Sequence, residues 1–219
     1  MRTAYHDEID AVTNGLVEMT RLVGSSVGRA TQALLDADQQ LAEQVISADA
    51  AVDALYHDVE ERIVDLIARQ QPVASDLRTI LAGLRMVADL ERAGDNATHI
   101  AEIARRRSPG RAIPDDLSST VLEMGQVAQR IVAKVGSAIA GRDVSLALEV
   151  ERDDDVMDGL HARLYKTILS GDWPGGVEAA IDASQCSRHY ERFADHAVSV
   201  ARRVVYVVTG ERPVVELGG

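Results

Sequence analysis

Apolar residues recur every three or four positions along almost the whole chain, the spacing of helices that each bury one face. Ile9, Val12, Leu16, Met19, Val23 and Val27 mark the first such stripe. A few breakers separate one stripe from the next. Pro72 interrupts "ARQQPVASD", with Ser75 placed to cap the following helix. "RRRSPGRAIPDD" at 105–116 is the clearest linker, and its two aspartates suit a helix N-terminus. "AGRD" at 140–143 reads as a turn with Asp143 as cap, "SGDWPGG" at 170–176 as a second strong break, and "TGERP" at 209–213 as the end of the last helix. A further boundary near "DADQ" at 36–39 has neither glycine nor proline. The pattern predicts six helices, roughly 4–36, 38–70, 75–106, 115–140, 143–170 and 175–208.

These helices form two sets of three. "AVDALYHDV" at 51–59 aligns with "VMDGLHARL" at 156–164, and a Glu-Arg-x-small-Asp phrase occurs twice, one hundred residues apart. The first copy is Glu91, Arg92, Gly94, Asp95; the second is Glu191, Arg192, Ala194, Asp195. The expected fold is all-α, two tandem pseudo-repeated antiparallel three-helix bundles. The first repeat covers 1–108, the second 109–210, and a tail runs from 211 to 219.

Composition narrows the function. The chain is 46% hydrophobic but only 3% aromatic, an Ala/Val/Leu/Ile core that suits helix packing. A net charge of -12 excludes an overall basic field for nucleic acid. The single Cys186 allows no internal disulfide and fits a reducing compartment. "MRTAYHDEIDAV" lacks the apolar core of a secretory signal, and the run Val204 to Val208 is too short to span a bilayer. A soluble, cytoplasmic protein is expected. The basic patch "RRRSPGR" reads as a solvated linker.

The repeated acids carry the chemistry. On the third helix Glu91 and Asp95 continue the spiral of Leu77, Ile80, Leu81, Leu84 and Val87. On the second, Asp49 falls within the arc of Val45, Val52, Val59 and Ile63, with Asp53 nearer its edge. In the second repeat Asp154 and Asp158 lie towards the stripe's edge, while Glu191 and Asp195 continue Val177, Ala180, Ile181 and Ser184. The eight acids are therefore expected on the core side. Register agrees: residue 72 lies midway between the 49/53 and 91/95 pairs, and the corresponding midpoint of the second repeat falls between Pro174 and Gly175. Each turn thus brings two carboxylate pairs level on neighbouring helices. With 35 acids in the chain, about five or six pairs spaced four apart arise by chance, so the weight rests on phase, register and repetition together.

Four carboxylates crowded at low dielectric call for a cation. His99 follows Asp95 by four and His57 follows Asp53 by four; His161 follows Asp158 by three, and His196 adjoins Asp195. These imidazoles are candidate additional ligands, whereas His6 and His189 have no such company. Oxygen donors with some imidazole suit iron, manganese or zinc. Gly94 and Ala194 would leave room for a cluster.

The doubled "ERAGD" and "ERFAD" phrases, the upstream acid pairs and the six-helix pattern resemble the PhoU family over essentially the whole chain to about residue 210. The family phrase continues Asp-His-x-x-Asn-Ile; here the Asn position is His99 in one repeat and Ser199 in the other. The resemblance implies multinuclear iron or zinc clusters on Asp49, Asp53, Glu91, Asp95, Asp154, Asp158, Glu191 and Asp195. It also implies a non-enzymatic negative regulator of phosphate uptake and phosphate-starvation signalling. Such a regulator contacts the phosphate ABC transporter's ATPase subunit and a phosphate-sensing histidine kinase, reaches the membrane only through these partners, and has a homodimer as a candidate assembly. The rival reading is a carboxylate-bridged di-iron enzyme in a helical bundle. That chemistry uses two Glu-x-x-His elements, and Asp158-x-x-His161 is the nearest approach. Neither a G-x-S-x-G motif nor a P-loop occurs.

Overall fold

The computed structural model describes residues 2–171 and 173–211. In chain order the helices are α1 (Arg2–Asp36), α2 (Gln39–Gln70), α3 (Ala74–Arg107), α4 (Asp115–Gly141), α5 (Val144–Ile168) and α6 (Gly176–Thr209), with no strand among the described residues. The ends follow local chemistry. Asp38 and Asp143 accept backbone N–H groups of Leu41 and Leu146 at 2.9 and 3.0 Å, capping α2 and α5. Ala37 makes the α1–α2 turn in the left-handed region at φ 53°, which is why no glycine marks it. Ser75 does not cap α3 as the sequence suggests. The turn after Gln71 is tight enough that Val73 takes the cap position without a side-chain bond, and Ser75 is already in the first turn. No helix among the described residues is long and apolar enough to cross a membrane.

Helices α1, α3, α6 and α4 form a closed ring in which each packs on the next. Helix α2 lies in the outer groove of α1 and α3, and α5 in that of α4 and α6. Each set of three packs as a bundle, yet one continuous apolar core runs through both. Tyr190 spans the ring from α6 to α1, its hydroxyl 2.7 Å from that of Thr31, which bonds the Val27 carbonyl at 2.7 Å. Complete burial holds this phenol protonated.

Helices α1 and α4 approach closely where Gly125 faces Thr31. A Cβ at position 125 would come within 2.9 Å of the Thr31 Cβ, which cannot swing aside as a long side chain could. Gly125→Ala is therefore expected to destabilise the protein by about 1–3 kcal/mol in urea unfolding.

The burial pattern departs from the sequence expectation. Ile80 and Val87 are buried, but Leu77 and Leu84 are only half-buried and Leu81 is 43% exposed. On α6, Val177 and Ile181 are 77% and 51% exposed. Because α3 and α6 each bury a broad face against three neighbours, their cores are centred on Met86, Leu90, Ala93 and Ala97, and on Ala183, Cys186, Tyr190 and Ala194. The predicted stripes run along the margin of those faces.

The α3–α6 seam is antiparallel and locally two-fold. His196 donates from Nδ1 to Asp89 at 3.2 Å, and His189 donates to the Asn96 side-chain oxygen at 3.0 Å. Positions 89 and 96 thus meet 196 and 189, their counterparts at an offset of one hundred. Arg203 also bonds Asp89. At the other end Asp182, 2% exposed, is held by Arg106 at 3.0 Å and by Arg107. The basic run at 105–111 is not merely a solvated linker: two of its arginines close the seam.

Candidate metal centres

Helices α2 and α3 place Asp49, Asp53, Glu91 and Asp95 in one neighbourhood, and α5 and α6 do the same for Asp154, Asp158, Glu191 and Asp195. The carboxylates influence one another in both. Asp49 is pushed above the usual carboxylate range first by burial, then by Asp53 and Asp95. Glu91 is raised by burial, Asp95, Asp53 and Asp49, partly offset by Arg92. In the second repeat burial, Asp158, Asp195 and Asp155 push Asp154 to about 7. Asp158 is raised by burial and Glu191, and Asp195 by burial, Glu191 and Asp158.

None of the eight sits in the apolar core. Asp49, Glu91, Asp95, Asp154 and Glu191 are half-buried, while Asp53, Asp158 and Asp195 are exposed. The expectation of core-facing acids is corrected accordingly: they line the outer edge of each α2–α3 or α5–α6 hairpin, where the margin of the apolar face meets solvent. The space beside Gly94 is mostly spent on packing, since a Cβ there would meet Val52 at 3.3 Å and Val23 at 3.6 Å; the Asp49 Oδ1 follows at 3.7 Å.

The histidines disperse. His99 donates to Glu102 at 3.0 Å and lies with its ring 4.9 Å from that of His189. His57 lies 4.0 Å from Glu60, and His161 is hydrogen-bonded to Ser187 at 2.8 Å. His196 serves the seam through Asp89. His189, set aside on sequence, is a seam residue; burial, His99 and Arg192 lower it to about 4, so it is neutral at physiological pH. The sequence signal that could have exposed Asp89 and His189 was the matched placing of polar residues at 89/189 and 96/196 in otherwise apolar stretches.

As the side chains stand, no group of three or more His, Cys, Asp or Glu converges closely enough to hold a metal ion among the described residues. The donor set nevertheless fits a hard or borderline cation. Each cluster supplies four mutually repelling carboxylates on two adjacent helices, the oxygen donors that such a cation takes. A bound cation would offset the repulsion among these carboxylates. Asp154 offers a test in chelator. Its folded pKa lies above its ordinary 3.8, so the folded state holds the proton longer and stability falls as pH rises from about 4 to 7. Asp154→Asn is thus expected to gain about 1–3 kcal/mol at pH 8, discounted for partial solvent screening, and nothing below pH 4. Thermal unfolding at the two pH values checks both.

Comparison with known proteins bears on the family and the fold. The PhoU domain family matches twice, at residues 16–104 and 121–204. The "Phosphate-specific transport system accessory protein PhoU homolog 2" of Mycobacterium tuberculosis is 45% identical over 213 residues, 97% of this chain and 100% of the relative. The crystal structure of PhoU from Pseudomonas aeruginosa superposes with a TM-score of 0.83 at 32% identity, covering 94% of this chain and 100% of that one. The phosphate transport system regulatory protein PhoU from Streptococcus pneumoniae has the same fold, with a TM-score of 0.86 at 24% identity over 96% of this chain and 100% of its own. Two matched domains, a relative matched over its whole length and the shared six-helix architecture establish that this chain belongs to the PhoU family, whose relatives named above include phosphate-specific transport accessory proteins.

Proposed function

We propose that this protein is a cytoplasmic negative regulator of phosphate uptake and of phosphate-starvation signalling. It acts by direct contact with the ATPase subunit of a phosphate ABC transporter and with a phosphate-sensing histidine kinase. The observation that carries this reading is the similarity to a phosphate-specific transport accessory protein over 97% of this chain and 100% of that relative. In this reading iron or zinc is held by Asp49, Asp53, Glu91 and Asp95 in the first repeat and by Asp154, Asp158, Glu191 and Asp195 in the second. The carboxylates draw α2 onto α3 and α5 onto α6, so that the hairpins present fixed outer faces to a partner.

The test is affinity capture of the full chain from cells grown with ample and with scarce phosphate, followed by identification of bound proteins. Recovery of the transporter's ATPase subunit in at least one condition, together with raised phosphate uptake when the gene is deleted, is the expected result. Absence of that subunit under both conditions, with uptake unchanged in the deletion strain, would overturn the proposal.

A further inference from the structure

The outer face of the α3–α6 seam carries a row of arginines. Along the seam α1 covers the back of α3 while α2 and α6 take its flanks, and α4, α5 and α3 do the same for α6. Neither α2 nor α5 reaches across, so the exposed side chains of α3 and α6 look out between them. The pairs Asp89–His196 and Asn96–His189 fix the register. They set Arg92 and Arg192, counterparts in the two repeats and both exposed, side by side at the centre of this face. Arg85, two turns before Arg92, and Arg203 extend the row towards one end; Arg188 and Arg106 extend it towards the other. At 1.5 Å per residue the row is about 35 Å long.

Three of these arginines are already engaged. Arg203 is bonded to Asp89, Arg188 to Glu191, and Arg106 to Asp182 and Gln185. Among the described residues the guanidiniums of Arg85, Arg92 and Arg192 have no salt bridge or hydrogen bond. The chain has 35 acidic and 23 basic residues, and elsewhere Arg21, Arg62, Arg69 and Arg163 each pair with an exposed carboxylate. Three unpaired arginines on one line therefore leave a local positive strip. Its field is felt at His189, which burial, then His99 and Arg192, lower to about 4. Glu91 and Asp95 on the α2 side, and Glu191 and Asp195 on the α5 side, keep the strip narrow. Leu81 and Ile181, 43% and 51% exposed, stand one turn beyond Arg85 and Gln185 and end it with apolar contacts.

We propose that this strip is a docking site for an acidic segment of a partner protein, one helix wide, with carboxylates along one edge and apolar residues at both ends. It rests on the reading above that the protein works by contacting partners, and it names the surface used. Charge complementarity decides the class of occupant. An anionic membrane would lay headgroups over the flanking acids as well as the arginines. A single helix, roughly 10–12 Å across, can present its acids to the centreline alone. The step from Arg85 to Arg92 is two helical turns, so glutamates two turns apart on the partner meet both.

The probe is a fluorescein-labelled synthetic helical peptide of about 24 residues, with glutamates along one edge and leucines near both ends. It is titrated with the full chain in chelator at low ionic strength and followed by anisotropy. Changing Arg85, Arg92 and Arg192 together to glutamine is expected to weaken binding at least about tenfold, whereas the lysine triple, which keeps the charge, retains most of it. Changing Arg21, Arg69 and Arg163 to glutamine removes the same charge from other faces and is expected to alter binding less than about twofold. A peptide that binds both glutamine triples alike, fails to bind the unmodified chain, or is matched by its all-glutamine version overturns the inference. So does binding of phosphatidylserine vesicles in place of the peptide. Capture from cells separates the two levels of the account. If the unmodified chain recovers the ATPase subunit or the kinase and the seam triple recovers as much, the docking site is wrong and the regulatory reading stands. If the unmodified chain recovers neither while the peptide still discriminates the variants, the site stands and the regulatory reading falls.

Discussion

Replacing Arg106 and Arg107 together with alanine is expected to lower the unfolding free energy by about 3–5 kcal/mol. Asp182 is 2% exposed and lies at the α3–α6 seam between the two guanidiniums. Removing both arginines strands a carboxylate where water reaches it poorly, and that desolvation cost dominates the loss. Adding Asp182→Asn to the same background removes the stranded charge and is expected to recover most of the stability. That recovery separates the electrostatic cause from lost packing of the arginine stems, which the third substitution would not repair. Arg111→Ala serves as the reference, because the Arg111–Asp115 pair is exposed on both sides and is expected to contribute less than about 1 kcal/mol. Urea unfolding of the four proteins at one ionic strength gives the comparison. A double variant within about 1 kcal/mol of the unmodified chain would show that the seam does not depend on these pairs.

Zinc is expected to produce the other large effect. A ligand that binds only the folded state at about 100 times its Kd stabilises by about 2.7 kcal/mol per site. Two filled sites would therefore raise the melting temperature on the order of 10–20 °C for a chain of this size. The gain should disappear on addition of chelator and be about halved when Asp49, Glu91 and Asp95 are changed to their amides. Without metal, the same triple substitution should be neutral or stabilising above pH 7, since it removes repulsion that raises Asp49 and Glu91. Opposite signs with and without metal are the signature of a cation site; a purely structural role for these acids would give one sign in both.

Much of the architecture was legible from spacing. Every helix end lies within two residues of its predicted place, because Pro72, the 108–114 linker and the Trp173 to Gly176 break are strong local signals, and Asp143 caps as its position suggests. The α1–α2 turn was the weakest signal, since Ala37 adopts a conformation usually given to glycine. The repeated acids and their shared neighbourhood were also readable, since an antiparallel hairpin fixes register from its turn. Their depth was not. Periodicity tells which residues share a face but not how wide the buried face is, and on α3 and α6 it widens because each meets three other helices. For the same reason the partners of Asp89, Asn96 and Asp182 were hidden: they are set by the contact between repeats, seventy or more residues away in the chain.

Crystallography of the zinc-soaked protein, with diffraction recorded on either side of the zinc absorption edge, probes the cation sites at their root. Anomalous density is expected in two places, one bounded by Asp49, Asp53, Glu91 and Asp95 and the other by Asp154, Asp158, Glu191 and Asp195, with the carboxylates turned in towards it. Fully folded protein with no anomalous peak beside any of the eight, and their oxygens directed into solvent, would contradict the reading of these acids as metal ligands.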